Sequence, residues 1–428
     1  MPKRVDLMAL QEIGSSGLNE FGGVVYEEFL KQLQGTRGIK IYQEMSSNDA
    51  VIGAILFVID MLIRQVKWDV VPFSQESGDV NRAEFLKTVL SDMSMTWEDT
   101  ISEIMSMLTY GWSYHEIVYK VRLGSNADSS LSSKYSDGLI GWRKLPIRSQ
   151  DTLYEWRFDE HAGLQGMVQS APPDWIPKFI PVEKALLFRT QVRKGNPEGR
   201  SILRNAYRSW YFKKHIEEIE GIGIERDLAG LPVAWVPPQL LSSKATAEDL
   251  SVLSAVKKIV TNVRRDEQEG IIFPLVYDET GHKAYDFALL STGGRRNFDT
   301  GAVISRYDQR IAMTVLADFI LLGQSNVGSF ALSSNKTTLF ATALGAWLDS
   351  IAAVFNRYAI PRLFKLNGYA EERLPELKPG DIVMPSLTEL GEYINKLSGA
   401  GINLSQDVQL ENHLRRLANL PPKEGDGA

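Results

Sequence analysis

His215 and Glu218 stand three residues apart in the charged stretch KKHIEEIE. On a helix that spacing puts an imidazole and a carboxylate on one face, where they could share a metal ion or a proton. A bundle-type metal site needs a second such pair, and none follows. His115, His161, His282 and His413 are scattered, and no histidine stands in an HExxH spacing. Asp278, Glu279, His282 and Asp286 bring carboxylates near an imidazole, the raw material of a metal-dependent nuclease. The Thr-Gly between Glu279 and His282 is ordinary hairpin chemistry. A solvated helix face and a plain turn are the readings these residues favour, so no metal ligand is assigned.

Other routes to catalysis fail on context. The chain has no cysteine, which removes thiolate nucleophiles, thiolate metal sites and disulfides. No GxSxG elbow occurs to present a serine. GIG at 221–223 lacks the third glycine of a dinucleotide fingerprint and lies inside a helical pattern, not between strand and helix. TGGRR at 292–296 offers backbone donors and two arginines at a helix start, which could cradle a phosphate, although a tight turn with a solvated cap is the plainer reading. SSNKTT at 333–338 has the tail of a P-loop without its glycines or its strand and reads as a helix start. The expectation is a protein that is not an enzyme, with no catalytic residue and no cofactor.

The elements that must position these residues belong to a core-forming chain. Of 428 residues, 44% are hydrophobic and 23% charged, which excludes disorder and allows two or three domains. The net charge of −6 leaves no footprint of a protein that grips phosphates. Residues 51–63, the most apolar stretch, contain Asp60 and fall short of the roughly 20 apolar residues that span a bilayer. The beginning of the chain carries Asp6 and Glu12 and reads as no export signal. No membrane is expected.

Along the chain, SSND at 46–49 caps an apolar helix that leads into the strand WDVV, closed by Pro72. Helical spacing covers 81–93 and 97–110, with Gly111 as the stop before the strand WSYHEIVYKVR. A polar loop at 124–138 and short strands between 142 and 189 complete an α+β body. Gly195, Pro197 and Gly199 mark a hinge. A long helix follows over 201–228, about 42 Å at 1.5 Å per residue. Its apolar stripe reads Leu203, Tyr207, Trp210, Ile216, Ile219 and Gly223, with Lys213, Lys214, Glu217, Glu218, Glu220, Glu225 and Arg226 spread over the remainder. Gly221 and Gly223 each cost about 1 kcal/mol against alanine inside a helix, which points to close approach of another backbone or a local bend. A small α/β insert with a helix over TAEDLSVLSAVKKIVTNV, a second long helix over 296–322, a Gly/Ser/Asn loop at 323–335, a third helical stretch broken at Pro361 and a helical tail at 386–422 complete the order.

That order resembles the portal proteins of tailed bacteriophages, Mu-like family. GRSILRNAYRSWYFKKHIEEIEGIGIERDLAGLPVAWVPP (199–238), IYQEMSSNDAVIGAILFVIDMLIRQVKWDVVP (41–72) and YGWSYHEIVYK (110–120) carry the resemblance. It implies an α+β portal fold: a wing at 1–200, a first stem helix at 201–228, a clip at 229–290, a second stem helix at 291–322, a tunnel loop at 323–335, a kinked helix and return to the wing at 336–385, and a short helical crown at 386–428.

The same resemblance implies a homo-oligomeric ring, a dodecamer, in the virion at one capsid vertex, made in the bacterial host cytoplasm. Double-stranded DNA would pass through it without sequence specificity during genome packaging and DNA ejection. The major capsid protein, the terminase and a head-tail connector or neck protein would be partners. Gly323, Gln324, Ser325, Asn326, Val327, Gly328 and Ser329 would line the channel. Arg295, Arg296, Arg306 and Arg310 would face DNA or bridge to Glu217, Glu218, Glu220 or Glu225 of a neighbouring stem. Two other readings remain open: a ring-forming adaptor of a phage-derived particle without genome packaging, and a metal-dependent nuclease using Asp278, Glu279 and Asp286.

Overall fold

A computed structural model of the chain describes residues 14–229, 231–264, 277, 281–283, 285–290, 299–315, 317 and 330–382, by backbone alone at 225–229, 231–232, 262–264, 289–290 and 330–338. Two compact units result, one of residues 1–206 with 311–428 and one of residues 207–310.

In the first unit a small antiparallel pair, β1 (Glu20–Phe21) and β2 (Val24–Val25), precedes α1 (Gly35–Asn48) and α2 (Ala50–Arg64). Asp49 ends one helix and starts the next. Its carboxylate accepts from the N–H groups of Val51 and Ile52, both at 3.0 Å, satisfying two donors that a helix start leaves free. Ile52, Ile55, Ile59 and Ile63 form the buried stripe of α2. β3 (Trp68–Val71) ends at Pro72, as its composition requires, and α3 (Ser77–Ser91) and α4 (Trp97–Tyr110) follow. Thr96 caps α4 through the Asp99 N–H at 3.0 Å. Gly111 stops it in the left-handed region, φ 97°, donating to the Met107 carbonyl at 2.6 Å.

β4 (Trp112–Glu116), β5 (Val118–Val121), β6 (Ile140–Lys144), β7 (Ile147–Arg148), β8 (Leu153–Phe158), β9 (Leu164–Gln169), β10 (Lys178–Pro181) and β11 (Ala185–Arg189) form three antiparallel sheets: β11-β4-β7, β10-β9-β8 and β5-β6. Trp112, Tyr114, Trp156, Met167 and Ile180 make one buried cluster between them. The main core gathers α2, α3 and α4 against the two helices at the far end of the sequence, with Ile59, Leu86, Ile104, Leu344, Leu348 and Phe364 all buried.

Three sequence expectations change here. The long helix begins not at 201 but at Tyr207, after a 3-10 turn at Ile202–Arg204. The Ser201 hydroxyl accepts from Leu203 N–H and donates to the Thr109 carbonyl, which ties this segment to the body before a helix can start. Gly195, Pro197 and Gly199 do not make a hinge throughout, because Gly199 is packed against Gly111. The third helical stretch starts at Phe330, so residues 330–335 of the expected loop 323–335 are helical, and SSNKTT lies within a helix already under way. Its break is a π-helical turn at Phe355–Ala359, just ahead of Pro361. Proline lacks an N–H and its ring collides with the carbonyl four residues back, so the wider turn accommodates it.

A cavity of about 300 Å³ lies in the first unit, among Glu28, Tyr42, Tyr110, Glu198 and Arg204. Burial pushes the Glu198 carboxyl up to about 7, opposed only by a hydrogen bond from Trp156 Nε1 at 3.3 Å. The folded chain therefore holds a proton between the ordinary carboxylate value of 4.5 and about 7 that the unfolded chain releases. Stability falls across that window as pH rises, by up to roughly 3 kcal/mol at 1.36 kcal/mol per unit. Glu198→Gln is expected to leave the urea midpoint unchanged at pH 4.5 and to raise it at pH 8. Equal effects at both pH values would contradict a protonated Glu198.

Candidate functional site

Among its described residues the second unit has three helices and a β pair. α5 (Tyr207–Ala229) and α7 (Thr300–Thr314) carry the sequence-predicted charges, and α7 crosses into the first unit at Ile311. Between them in sequence, β12 (Leu231–Trp235) pairs antiparallel with β13 (Asp286–Leu290) in the register Val233↔Ala288, and α6 (Ala247–Arg264) packs on β12. Thr246 and Asp249 cap α6 reciprocally, at 2.9 and 3.2 Å through their partner N–H groups.

Lys213, placed by periodicity on the polar side of α5, is buried and pairs with Asp308 of α7 at 2.6 Å. Its aliphatic stem occupies the stripe one turn beyond Trp210. Glu220 accepts from the Thr300 hydroxyl, and the ring of Phe212 stacks on Tyr307 with centroids 6.5 Å apart. These contacts fix the register of α5 on α7 within the unit. Ile219, expected on the buried stripe, is 68% exposed. Nine residues on from Trp210, it lies half a turn away from that side chain at 100° per residue. Ile222 is also exposed, at 49%. Gly221 has open space where a Cβ would stand among the described residues, so none of their backbone closes on it, and α5 runs on unbroken.

The predicted acidic set has partners within α5 and α7. Glu217 lies 3.9 Å from Lys213, and Glu218 lies 3.2 Å from His215 and 4.0 Å from Lys214. The His215 and Glu218 pair is thus the solvated helix-face contact read from the sequence. Arg306 and Arg310 are exposed on α7, each within cation-π range of Tyr307, at 5.6 and 5.9 Å. Glu225 lies within α5 by its backbone. Arg295, Arg296 and the whole set Gly323, Gln324, Ser325, Asn326, Val327, Gly328 and Ser329 lie outside the described residues, as do the tail at 386–428, Asp278 and Glu279.

Among the described residues no three His, Asp or Glu side chains converge as a metal site. A Tyr277↔Lys283 bridge brackets the predicted hairpin turn, with Gly281 at φ 82°. His115 is fully buried, and burial lowers it to about 4; its neutral Nδ1 donates to the Leu145 carbonyl at 2.9 Å. Sequence reasoning missed Asp308, whose only signal was its place on the helix opposite Lys213.

An α+β body continuing into a helical unit with a small β insert is the fold of phage portal and neck proteins. A chain from the neck of an empty gene transfer agent particle, computed with C6 symmetry, superposes with a TM-score of 0.52 at 10% identity, covering 95% of this chain and 98% of that one. A chain from the virion of the native gene transfer agent particle gives 0.52 at 11% identity, with 95% and 97% covered. The sequence is more specific. Residues 39–413 match the family described as the portal protein of Mu bacteriophage, and the chain belongs to that family. It is a portal protein of a phage or phage-derived particle, and the family assigns it a structural role.

Proposed function

We propose that copies of this chain close into a ring at one capsid vertex, with α5 and α7 as the stem, 229–290 as the clip and 1–200 as the wing. Double-stranded DNA passes through the ring during packaging and ejection, and the clip receives terminase and then neck proteins. One observation carries the reading. α5 has apolar side chains on two opposite sides, between its charges: Trp210 is buried, while Ile219, half a turn round, and Ile222 stand in solvent. Apolar side chains left in solvent on a second side call for neighbours that cover them. A second copy supplies them, and a heterologous contact that closes gives a ring. The C6 symmetry of the neck containing the similar chain supports closure, and the ring resembled in sequence has twelve subunits.

The charge fits passage. A net charge of −6 and the uncharged polar residues Gln324, Ser325 and Asn326 in the proposed tunnel loop let a phosphate backbone pass without ionic grip. Arg306 and Arg310, exposed beside Tyr307, would reach a neighbouring stem or the DNA. The gene transfer agent likenesses favour one second reading, an adaptor ring in a phage-derived particle, and a neighbouring large-terminase gene would distinguish the two.

Negative-stain microscopy of the purified chain tests the proposal. A ring with a central hole is the expected result, and Arg306→Glu should lower the fraction of closed rings severalfold. A compact monomer under all conditions would refute it. Intact rings of the variant that fail only in packaging would move Arg306 to the DNA.

A further inference from the structure

The outer face of α2 has a shape that its own unit does not use. Opposite the buried stripe of Ile52, Ile55, Ile59 and Ile63, the helix carries Ala54, Phe57, Val58 and Met61 at i, i+3, i+4 and i+7. Phe57 is 65% exposed and Met61 40%. Two apolar stripes on opposite sides of one helix describe an element covered on both.

The course of the chain says what covers it. β14 (Glu376–Pro379) runs antiparallel to β3, pairing Pro379 with Trp68, and so returns toward the end of α2. Gly380 then donates to the Lys67 carbonyl at 2.8 Å, three residues past the last residue of α2. Ile382 packs against the core that holds Ile55, Ile59 and Ile63. Four residues later comes SLTELGEYINKL, 386–397. Ser386 and Glu389 have the spacing of a capping box, and Leu387, Leu390, Ile394 and Leu397 fall on one helical stripe. The link of 383–386 reaches about 14 Å when extended, enough to start a helix beside Met61. Eleven helical residues cover about 16 Å, enough to span the roughly 10 Å from Met61 to Ala54.

We infer that residues 386–397 of the same chain seat as a helix, antiparallel to α2, on the face formed by Ala54, Phe57, Val58 and Met61. In that register Leu390 meets Phe57. The tail then begins by stapling the wing before any crown forms.

The absence of native cysteine makes the test clean. Phe57→Cys with Leu390→Cys in the full chain, under mild oxidation, should give an intrachain disulfide as the main product, because seated helices bring the two Cα atoms within bonding range. The control pair Phe29→Cys with Leu390→Cys should give none. Chain-to-chain ladders would mean that a neighbouring copy's tail occupies the face, and no disulfide at all would mean an empty face or a different protein there; either overturns the inference. Independently, Leu390→Asp with Ile394→Asp should speed amide exchange across α2 at least tenfold while leaving α4 unchanged. Unchanged exchange in α2 would also overturn it.

Discussion

Lys120→Met is expected to destabilise the chain by about 3–5 kcal/mol, because it strands a buried charge. The side chains of Lys120 on β5 and Asp92 after α3 are 2% and 4% exposed, and lie 3.1 Å apart. Lys120 Nζ also donates to the carbonyls of Asp92 and Ser132, both at 2.6 Å. Asp92 accepts in turn from the Ser133 hydroxyl at 2.7 Å and the Lys134 N–H at 2.8 Å. Burial alone would push the Asp92 carboxyl up, but the donors from Lys134, Ser133 and Lys120 outweigh it and hold it below the ordinary carboxylate range.

Methionine fills the space of lysine but leaves that carboxylate without its cation. The expected loss is read as a lower urea midpoint with an unchanged m-value. Since the pair also pins 124–138, trypsin should cut at Lys134 faster in the variant. The sign with pH follows: a depressed carboxyl stabilises above its unfolded value and loses that contribution as pH falls through the folded one. The variant should therefore lose less on acidification than the parent. A loss under 1 kcal/mol, or no change in cleavage, would show that water reaches the site.

The same loop marks where the sequence stops being informative. Its composition, rich in Ser, Gly and Asp, reads correctly as irregular chain, yet nothing local shows that it is clamped. The clamp joins Asp92, Lys120 and Ser132, and Arg122, which pairs with Asp137 at 2.9 Å and lies over Tyr135 at 4.1 Å. Legible features were local ones: the Asp49 cap, the span of α4 with its Gly111 stop, and the end of β3 at Pro72. Each is decided by side chains within four residues of the backbone they satisfy. Lys213 was not legible, because a lysine is buried only when a distant partner is brought to it, and Asp308 is nearly a hundred positions away. Among the site residues, Arg306, Arg310, Glu217, Glu218 and Glu220 fall on helices as periodicity requires. Their partners depend on the register of α5 on α7, which one helix cannot encode.

Gly199→Ala should cost about 2–5 kcal/mol, while Gly195→Ala, four residues away, should cost only about 1–2. Both glycines have positive φ, 57° and 73°, so both substitutions carry the left-handed penalty of about 1–2 kcal/mol. Their surroundings differ. A Cβ on Gly195 meets nothing within 4 Å, whereas one on Gly199 lands inside contact distance of the Gly111 carbonyl oxygen. A Cβ on Gly111 would in turn stand 2.5 Å from the Glu198 carbonyl oxygen and 2.9 Å from the Arg200 nitrogen. The Gly111 carbonyl cannot retreat, because it accepts from the Thr190 N–H at 3.0 Å and the Thr190 hydroxyl at 3.2 Å. Overpacking against fixed backbone adds about 1–3 kcal/mol, and the difference between the two variants isolates it. A sequence with Gly, Pro and Gly at alternate positions looks like a hinge, but two glycines placed face to face let two backbones touch and fix each other. Equal losses from Gly199→Ala and Gly195→Ala would show that the contact yields, and the hinge reading would stand after all.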